Sequence, residues 1–220
     1  MSIQTQGFSG VVDEVESASR ARRMTARPTD PGALGAYSLA IDNGTTAMTA
    51  GLAANSPIFS WRWGNASNLA ILRSIRMSAY VSSTGFTAGR FSFDALWARS
   101  FTASDTGGTA VTLTGNNMKK RTSFGTTLLT DARFSTTATL TAGTRTLDAA
   151  PFGKIHGVID TGTNKQLIAG HYIPLWQRDT SEEYPMVFAQ NEGVVVQATV
   201  PATGIWFWSL MIEWMELASF

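Results

Sequence analysis

The chain has 220 residues, which is enough for one large β domain with an additional arm but tight for two full domains. A formal net charge of +1, with only 15% charged residues, argues against a nucleic-acid binder that depends on phosphate neutralisation. The absence of cysteine excludes disulfide bonds and thiolate metal sites, and the longest apolar runs fall far below the ~20 residues of a membrane-spanning helix. So few charges predict a surface largely covered by other protein chains; the alternative is a monomer solvated by Ser, Thr and Asn.

The first part of the chain, residues 1–56, contains few large apolar side chains and much Gly, Ala, Ser and Thr. Such a composition cannot build a core alone. We therefore predict an extended N-terminal arm that becomes ordered along its own domain or along a neighbouring subunit. Residues 10–24 have the spacing of a short helix, and the first ten residues lack the basic and apolar regions of a signal peptide.

A group of arginines follows acidic residues within this arm: Arg20, Arg22, Arg23 and Arg27. Acidic residues near the N-terminus of a helix and basic residues near its C-terminus interact favourably with the helix dipole. One interpretation is a contact with an acidic protein surface or with packaged nucleic acid. The other is a solvated helix end, which is the usual role of a short charge run.

Residues 57–220 show the period-two alternation of β-strands. The spacing predicts an all-β domain, an antiparallel two-sheet sandwich of jelly-roll type with seven or eight principal strands. Residues 69–81 and 91–101 are predicted to form a hairpin, each with an apolar face that one arginine interrupts, Arg73 or Arg99. The threonine-rich stretch 102–146 predicts edge strands and long loops.

The closing stretch, residues 192–217, predicts two strands joined by a turn, and we expect the second strand to lie in the middle of a sheet. One face of that strand carries three tryptophans: Trp206, Trp208 and Trp214. The other face carries Ile205, Phe207 and Met211. Because a sandwich strand has only one inner face, we expect the arm or another subunit to cover the second. The tryptophans are thus candidate interaction residues in a homo-oligomer, predicted to be a trimer around a symmetry axis.

One motif points to catalysis. The sequence GVIDTGT at 157–163 is similar to the pattern around the catalytic aspartate of aspartic proteases, whose chemistry needs two carboxylates that share a proton. With one motif per chain, a protease would be a symmetric dimer using Asp160. The supporting apolar loop and later strand are not recognisable, and a second Asp-Thr-Gly at 105–107 lies in a polar stretch. We predict that the chain is not an enzyme, with this protease as the remote alternative.

No cofactor or metal is predicted. His156 and His171 lack metal-ligand spacing, and the acidic loop with Asp179, Glu182 and Glu183 lacks the spacing of a calcium loop. Among single acids, Glu213 stands between apolar neighbours. If its face is buried it needs a partner, and Arg73 or Arg99 is the expected one.

Three stretches of the chain, residues 58–79, 98–126 and 192–214, resemble virion structural proteins of tailed bacteriophages. The resemblance covers roughly residues 55–217 and carries no catalytic motif. It implies a protein present in many copies on the capsid surface of the virion, a cement or decoration protein bound to the major capsid protein and to itself. A tail, neck or fibre-attachment component is the alternative, and a receptor-binding module would add an exposed aromatic or polar cleft for sugar. No membrane or specific nucleic-acid partner is expected.

Overall fold

The structure of the chain, a computed structural model, describes residues 3–6, 12–15, 34–52, 55–162, 165–166, 172–178 and 184–218. The chain divides into two compact units, Met1–Asp30 and Pro31–Phe220. Every described element of regular structure is a β-strand. The prediction of an all-β protein is therefore confirmed.

The first unit contains a two-stranded antiparallel sheet. Strand β1, Ile3–Gln6, pairs with β2, Val12–Val15. The helix predicted over residues 10–24 is therefore wrong for Val12–Val15, where β-branched residues lie in a paired strand. The predicted interaction residues Arg20, Arg22, Arg23 and Arg27 lie outside the described residues.

The second unit is a sandwich of two antiparallel sheets. Its described strands are β3 Gly35–Asp42, β4 Ser56–Trp63, β5 Leu69–Val81, β6 Gly89–Arg99, β7 Thr109–Ala110, β8 Asp131–Phe134, β9 Thr146–Leu147, β10 Gly153–Ile159, β11 Lys165–Gln166, β12 Ile173–Gln177, β13 Met186–Phe188, β14 Glu192–Thr199 and β15 Trp206–Leu217. The first sheet has the order β10-β6-β14-β4-β8-β7, with β9 also paired to β6. The second has the order β11-β5-β15-β3, with β12 and β13 also paired to β5.

The predicted hairpin of residues 69–81 and 91–101 is wrong. Strand β5 belongs to the second sheet and β6 to the first, so the connection between them crosses from one sheet to the other. Each of these strands finds its partners far away in sequence, β15 for one and β14 for the other. A Gly-containing loop marks a change of direction, but it does not determine whether the next strand stays in the same sheet.

The predicted arm of residues 1–56 differs from the structure after residue 30. Strand β3 pairs with β15 from Asp42 to Gly35, and its side chains Tyr37 and Leu39 are buried in the core. This part of the chain thus lies along its own domain, which is one of the two predicted alternatives. The compact unit begins at Pro31 rather than at residue 57.

The core lies between the two sheets and is rich in aromatic rings. Trp61 of β4 in the first sheet meets Trp214 of β15 edge-on, with ring centroids 5.9 Å apart, and meets Phe188 of β13 at 5.3 Å. Each such side chain removes roughly 150 to 250 Å² from water, so a few rings account for much of the core. Strand β15 occupies the middle of its sheet between β3 and β5, as predicted.

A β-bulge interrupts the pairing of β5 with β15. Glu213 pairs with Ser74 and Trp214 pairs with Leu72. Arg73 is therefore an extra residue of β5 that has no paired residue on β15. The bulge reverses the alternation along β5: Leu72 lies in the core with Ile75, whereas Ile71 lies opposite the outward-facing Met215. The single apolar face predicted for residues 69–81 is therefore wrong, because Leu69 and Ile71 lie on the opposite side of the strand from Ile75.

Candidate functional site

The predicted interaction tryptophans lie in the core of the second unit. Trp206, Trp208 and Trp214 expose at most 1% of their surface, and they project from the inner side of β15. They hold the two sheets together, and they could contact another protein only if the domain unfolded. The side of β15 that faces away from the core is therefore the candidate interaction surface.

The outer side of β15 carries half-buried side chains that alternate with the tryptophans. Met211 lies opposite Arg76 of β5, and Met215 lies opposite Ile71. The bulge residue Arg73 is exposed, and its Nη1 is 4.0 Å from the sulfur of Met215. We call Arg73, Arg76, Met211 and Met215 the Met–Arg patch.

The charges beside the Met–Arg patch are paired within the chain. Lys120 forms an ion pair with Glu213, and Ser74 Oγ donates to Glu213 Oε2 at 3.3 Å. Burial alone would raise the pKa of Glu213, but the hydrogen bond and charge of Lys120, with Ser74 and the charge of Arg76, hold it below its ordinary value. Arg76 Nη2 in turn donates to Gln177 Oε1 at 2.9 Å.

The predicted partners of Glu213 are wrong. Arg99 instead bridges two other acids, with Nη1 2.6 Å from Glu192 Oε1 and Nη2 3.3 Å from Asp148 Oδ2. Arg73 lies at the bulge, where its side chain reaches Met215. The lysine that pairs with Glu213 comes from the long polar stretch between β7 and β8, where strand alternation gives no indication of a partner.

An open cleft of about 410 Å³ lies at the other end of the same outer face, and we call it the aromatic cleft. Its lining includes Asp42, Gly44, Thr45, Tyr80, Tyr172 and Phe207. The rings of Tyr80 and Phe207 stack with centroids 5.3 Å apart and planes 17° apart. Tyr80 is 49% exposed and Tyr172 is 36% exposed, so both rings are accessible to a ligand.

Side-chain hydrogen bonds hold the turn that follows β3 in place beside this cleft. Asn43 is buried; its Oδ1 accepts from the backbone N–H of Trp208 at 2.8 Å, and its Nδ2 donates to the carbonyl of Thr46 at 2.7 Å. Asp42 Oδ1 accepts from the N–H of Gly44 at 2.7 Å. Asn and Asp commonly close turns in this way, and here they fix the polar wall of the cleft.

Two buried carboxylates lie away from both surfaces, and sequence reasoning missed the environment of each. Asp105 is fully buried; it pairs with Arg145, and its Oδ1 accepts from the N–H of Gly143 at 2.9 Å. Burial lowers the pKa of Arg145 to about 10. Because Asp105 is neutralised by an arginine, it has the surroundings of a structural ion pair rather than of a proton-sharing dyad.

Glu216 is the second buried carboxylate, and its neighbours are hydrogen-bond donors. Thr127 Oγ1 donates at 2.5 Å, the N–H of Leu128 at 3.1 Å and Trp214 Nε1 at 3.1 Å. Burial raises the pKa of Glu216, although these hydrogen bonds oppose the shift. Burial, together with the charge of Glu216, also raises the pKa of Tyr37 to about 12. This carboxylate ties the stretch before β8 to the last strand.

The other residues considered for chemistry lie apart from these sites. Asp160 is exposed directly after β10, and His156 is exposed on β10. His171 and the acidic loop residues Asp179, Glu182 and Glu183 lie outside the described residues. Within the described part of the chain, no group of three or more His, Asp or Glu side chains is arranged to hold a metal ion.

No helix in the described ranges is long and apolar enough to cross a membrane. Comparisons of the chain with protein-family models, with curated proteins and with solved structures find no match.

Proposed function

We propose that the chain is a structural component of a tailed-bacteriophage virion, a capsid cement or decoration protein that binds the capsid shell and copies of itself. The β-sandwich fold suits such a role, and so does a sequence in which only 15% of residues are charged. The resemblance of three stretches to virion proteins directs the proposal to phage particles. The fold alone is compatible with many functions, so the site has to carry the argument.

The Met–Arg patch is the observation that carries the proposal. Protein interfaces are enriched in Met, Arg and aromatic residues and depleted of Lys, Glu and Asp at their centres. Met211 and Met215 provide flexible apolar contacts, and Arg73 and Arg76 provide planar donors. Since Glu213 is already paired with Lys120, a partner surface that covers the patch has to supply acceptors only for Arg73 and Arg76.

Assembly is tested on the purified full chain by size-exclusion chromatography with light scattering. We expect a homo-oligomer, a trimer, and we expect Met211→Lys to dissociate it into folded monomers. The new ammonium would lie beside Arg76 and would have to lose its water in the interface. The matched control is Val158→Lys, which adds the same charge at a side chain that is 83% exposed on the other sheet. A wild-type monomer at the highest soluble concentration contradicts the assembly part of the proposal.

Placement on the particle is tested by the number of copies per purified virion, measured on a quantified gel. A capsid protein is expected in hundreds of copies, because the shell repeats its binding site many times. A count of about a dozen or fewer indicates a tail or neck component instead. Absence of the chain from purified particles contradicts the virion assignment.

The second candidate function is an attachment module on the tail or a fibre. The observation that favours it is the aromatic cleft, since concave sites lined by aromatic rings and a few polar groups are the usual places for small ligands. The cleft and the Met–Arg patch occupy different ends of one sheet face. One chain can therefore use the patch for assembly and the cleft for a ligand.

A further inference from the structure

We propose that the aromatic cleft binds a neutral saccharide, with the Tyr80–Phe207 ring pair as its platform and Asp42 as its principal hydrogen-bond acceptor. This inference goes beyond the structural role above and does not depend on it, since it requires only the described fold of the second unit.

The ring pair provides an apolar surface that solvent can reach. Tyr80 and Phe207 are cross-strand partners on β5 and β15, and their stacking fixes both rings in nearly parallel planes. A pyranose ring presents one face of C–H groups, which packs on an aromatic plane through dispersion and weak C–H contacts. Tyr80 remains 49% exposed after packing on Phe207, so part of this residue is open to a ligand.

The polar wall provides acceptors and donors at the edge of this platform. Asp42 is exposed at the end of β3, Thr45 is exposed on the turn that follows, and Ser209 borders the cleft on β15. Asp42 uses one carboxylate oxygen for the N–H of Gly44, and a carboxylate has acceptor sites for several more donors. Hydroxyl groups around a sugar ring are donors of the required kind.

The charge of the lining selects against anionic ligands. Asp42 is an acid, and none of the described residues that line the cleft is Lys, Arg or His. A phosphate or a carboxylate on the ligand would therefore meet a like charge without a compensating cation. The volume of about 410 Å³ falls within the usual range of roughly 300–1,000 Å³ for ligand sites. A neutral polyhydroxylated ligand with one apolar face fits these conditions.

Tyr172 lines the cleft in an unusual backbone conformation, which five other described non-glycine residues outside the cleft lining share. Its φ of 54° lies in the left-handed region, which is rare for a bulky residue and is strained. Strain of this kind concentrates at ligand-binding positions. A glycine at this position would relieve the strain, but it would remove the ring from the cleft.

The test uses the purified full chain and saturation-transfer difference NMR with four probes: maltotriose, cellotriose, chitotriose and trigalacturonic acid. We expect saturation transfer to at least one neutral trisaccharide, strongest at the C–H protons of one ring face, and none to the anionic probe. Absence of transfer to all three neutral probes overturns the proposal. Transfer only to trigalacturonic acid overturns it as well, because Asp42 would then not select the ligand.

Three variants locate the site. Tyr80→Ser and Asp42→Asn are expected to weaken binding of the active trisaccharide at least about tenfold. Tyr184→Ser is the matched control, because Tyr184 is 82% exposed and does not line the cleft. Equal affinity in Tyr80→Ser and wild type overturns the proposal, as does equal loss in the Tyr184→Ser control.

Tyr172→Gly separates binding from folding. This variant is expected to lose saccharide affinity while its midpoint of thermal unfolding stays equal to or above that of wild type, since the strained φ suits glycine. Full affinity in this variant shows that Tyr172 has no part in the site and contradicts the argument from strain. Met211→Lys is expected to bind the saccharide normally, so that failure of assembly and failure of ligand binding are distinguished.

Discussion

The two sides of strand β15 differ in what they contribute to the protein. The inner side holds Trp206, Trp208 and Trp214 with almost no exposed surface, and it fills the space between the sheets. The outer side holds Phe207, Met211 and Met215, which remain half-buried at the surface. Twelve residues thus carry both the stability of the sandwich and its candidate interaction surfaces. The difference shows that hydrophobic side chains on one strand can have separate roles according to the face on which they lie.

The largest expected effect is on the inner side. Trp214→Ala removes the ring that meets Trp61 at 5.9 Å and Tyr37 at 5.5 Å, and it should lower the free energy of unfolding by about 3–5 kcal/mol. Urea unfolding monitored by circular dichroism measures the change. The neighbouring outer-side variant Met215→Ala is the control and should lose about 1 kcal/mol or less. Similar losses in both variants would remove the distinction between the two sides.

A smaller effect is expected at Glu216, the buried carboxylate on the inner side. Glu216→Ala leaves Thr127, the N–H of Leu128 and Trp214 Nε1 without their acceptor, and we expect a loss of about 2–3 kcal/mol in the free energy of unfolding. Glu216→Gln keeps one acceptor oxygen and should lose less. If the two variants are equally stable, the hydrogen bonds to Glu216 do not contribute to folding.

The two acids of β15 should also respond to pH in opposite directions. The pKa of Glu216 is raised in the folded protein, so its contribution is greatest below the ordinary value of 4.5 and falls as pH rises through the folded pKa. The pKa of Glu213 is lowered, so its contribution is present above 4.5 and is lost as pH falls through the folded pKa.

Urea unfolding of wild type, Glu216→Gln and Glu213→Gln at several pH values between about 3 and 7 tests this contrast. As pH rises, the free energy of unfolding of wild type should fall relative to that of Glu216→Gln. Over the same pH range it should rise relative to that of Glu213→Gln. Parallel pH profiles for the two variants would show that the two sides do not differ in their electrostatics.

The smallest effect is expected for the outer-side ion pair. Lys120→Met breaks the pair with Glu213 at a site where the lysine side chain is 44% exposed, and the free energy of unfolding should fall by at most about 1 kcal/mol. Adding salt to wild type should remove most of the difference between wild type and the variant. A loss above about 2 kcal/mol, independent of salt, would mean that this pair behaves like a buried one.

Sequence patterns predicted the local features of the fold better than the long-range ones. The alternation around Trp208 predicted a central strand with two different faces, because strand periodicity is a property of neighbouring residues. The bulge at Arg73 was not predictable, since it depends on the register between β5 and β15. For the same reason the partners of Glu213 and Glu216, which come from the polar stretch before β8, could not be predicted from spacing.

In the candidate site, too, local features were predictable and long-range contacts were not. The outward position of Phe207 followed from alternation along β15, but its stacking on Tyr80 depends on a pairing between distant strands. Asp42 joins the same cleft only because β3 lies on the other side of β15. A sequence can therefore predict that an aromatic residue faces outward without predicting what surrounds it.

The position of β15 between β3 and β5 has a consequence for the order of events during synthesis. Neither β3 nor β5 pairs with the other in the described sheet; both pair with β15, which follows them by more than a hundred residues. Both strands are therefore synthesised long before β15, and their apolar side chains stay unpaired with β15 during that time. Closing such long loops makes folding slow and leaves strand edges open to other nascent chains. The pairing of the second sheet is therefore complete only when residues 206–217 have been made.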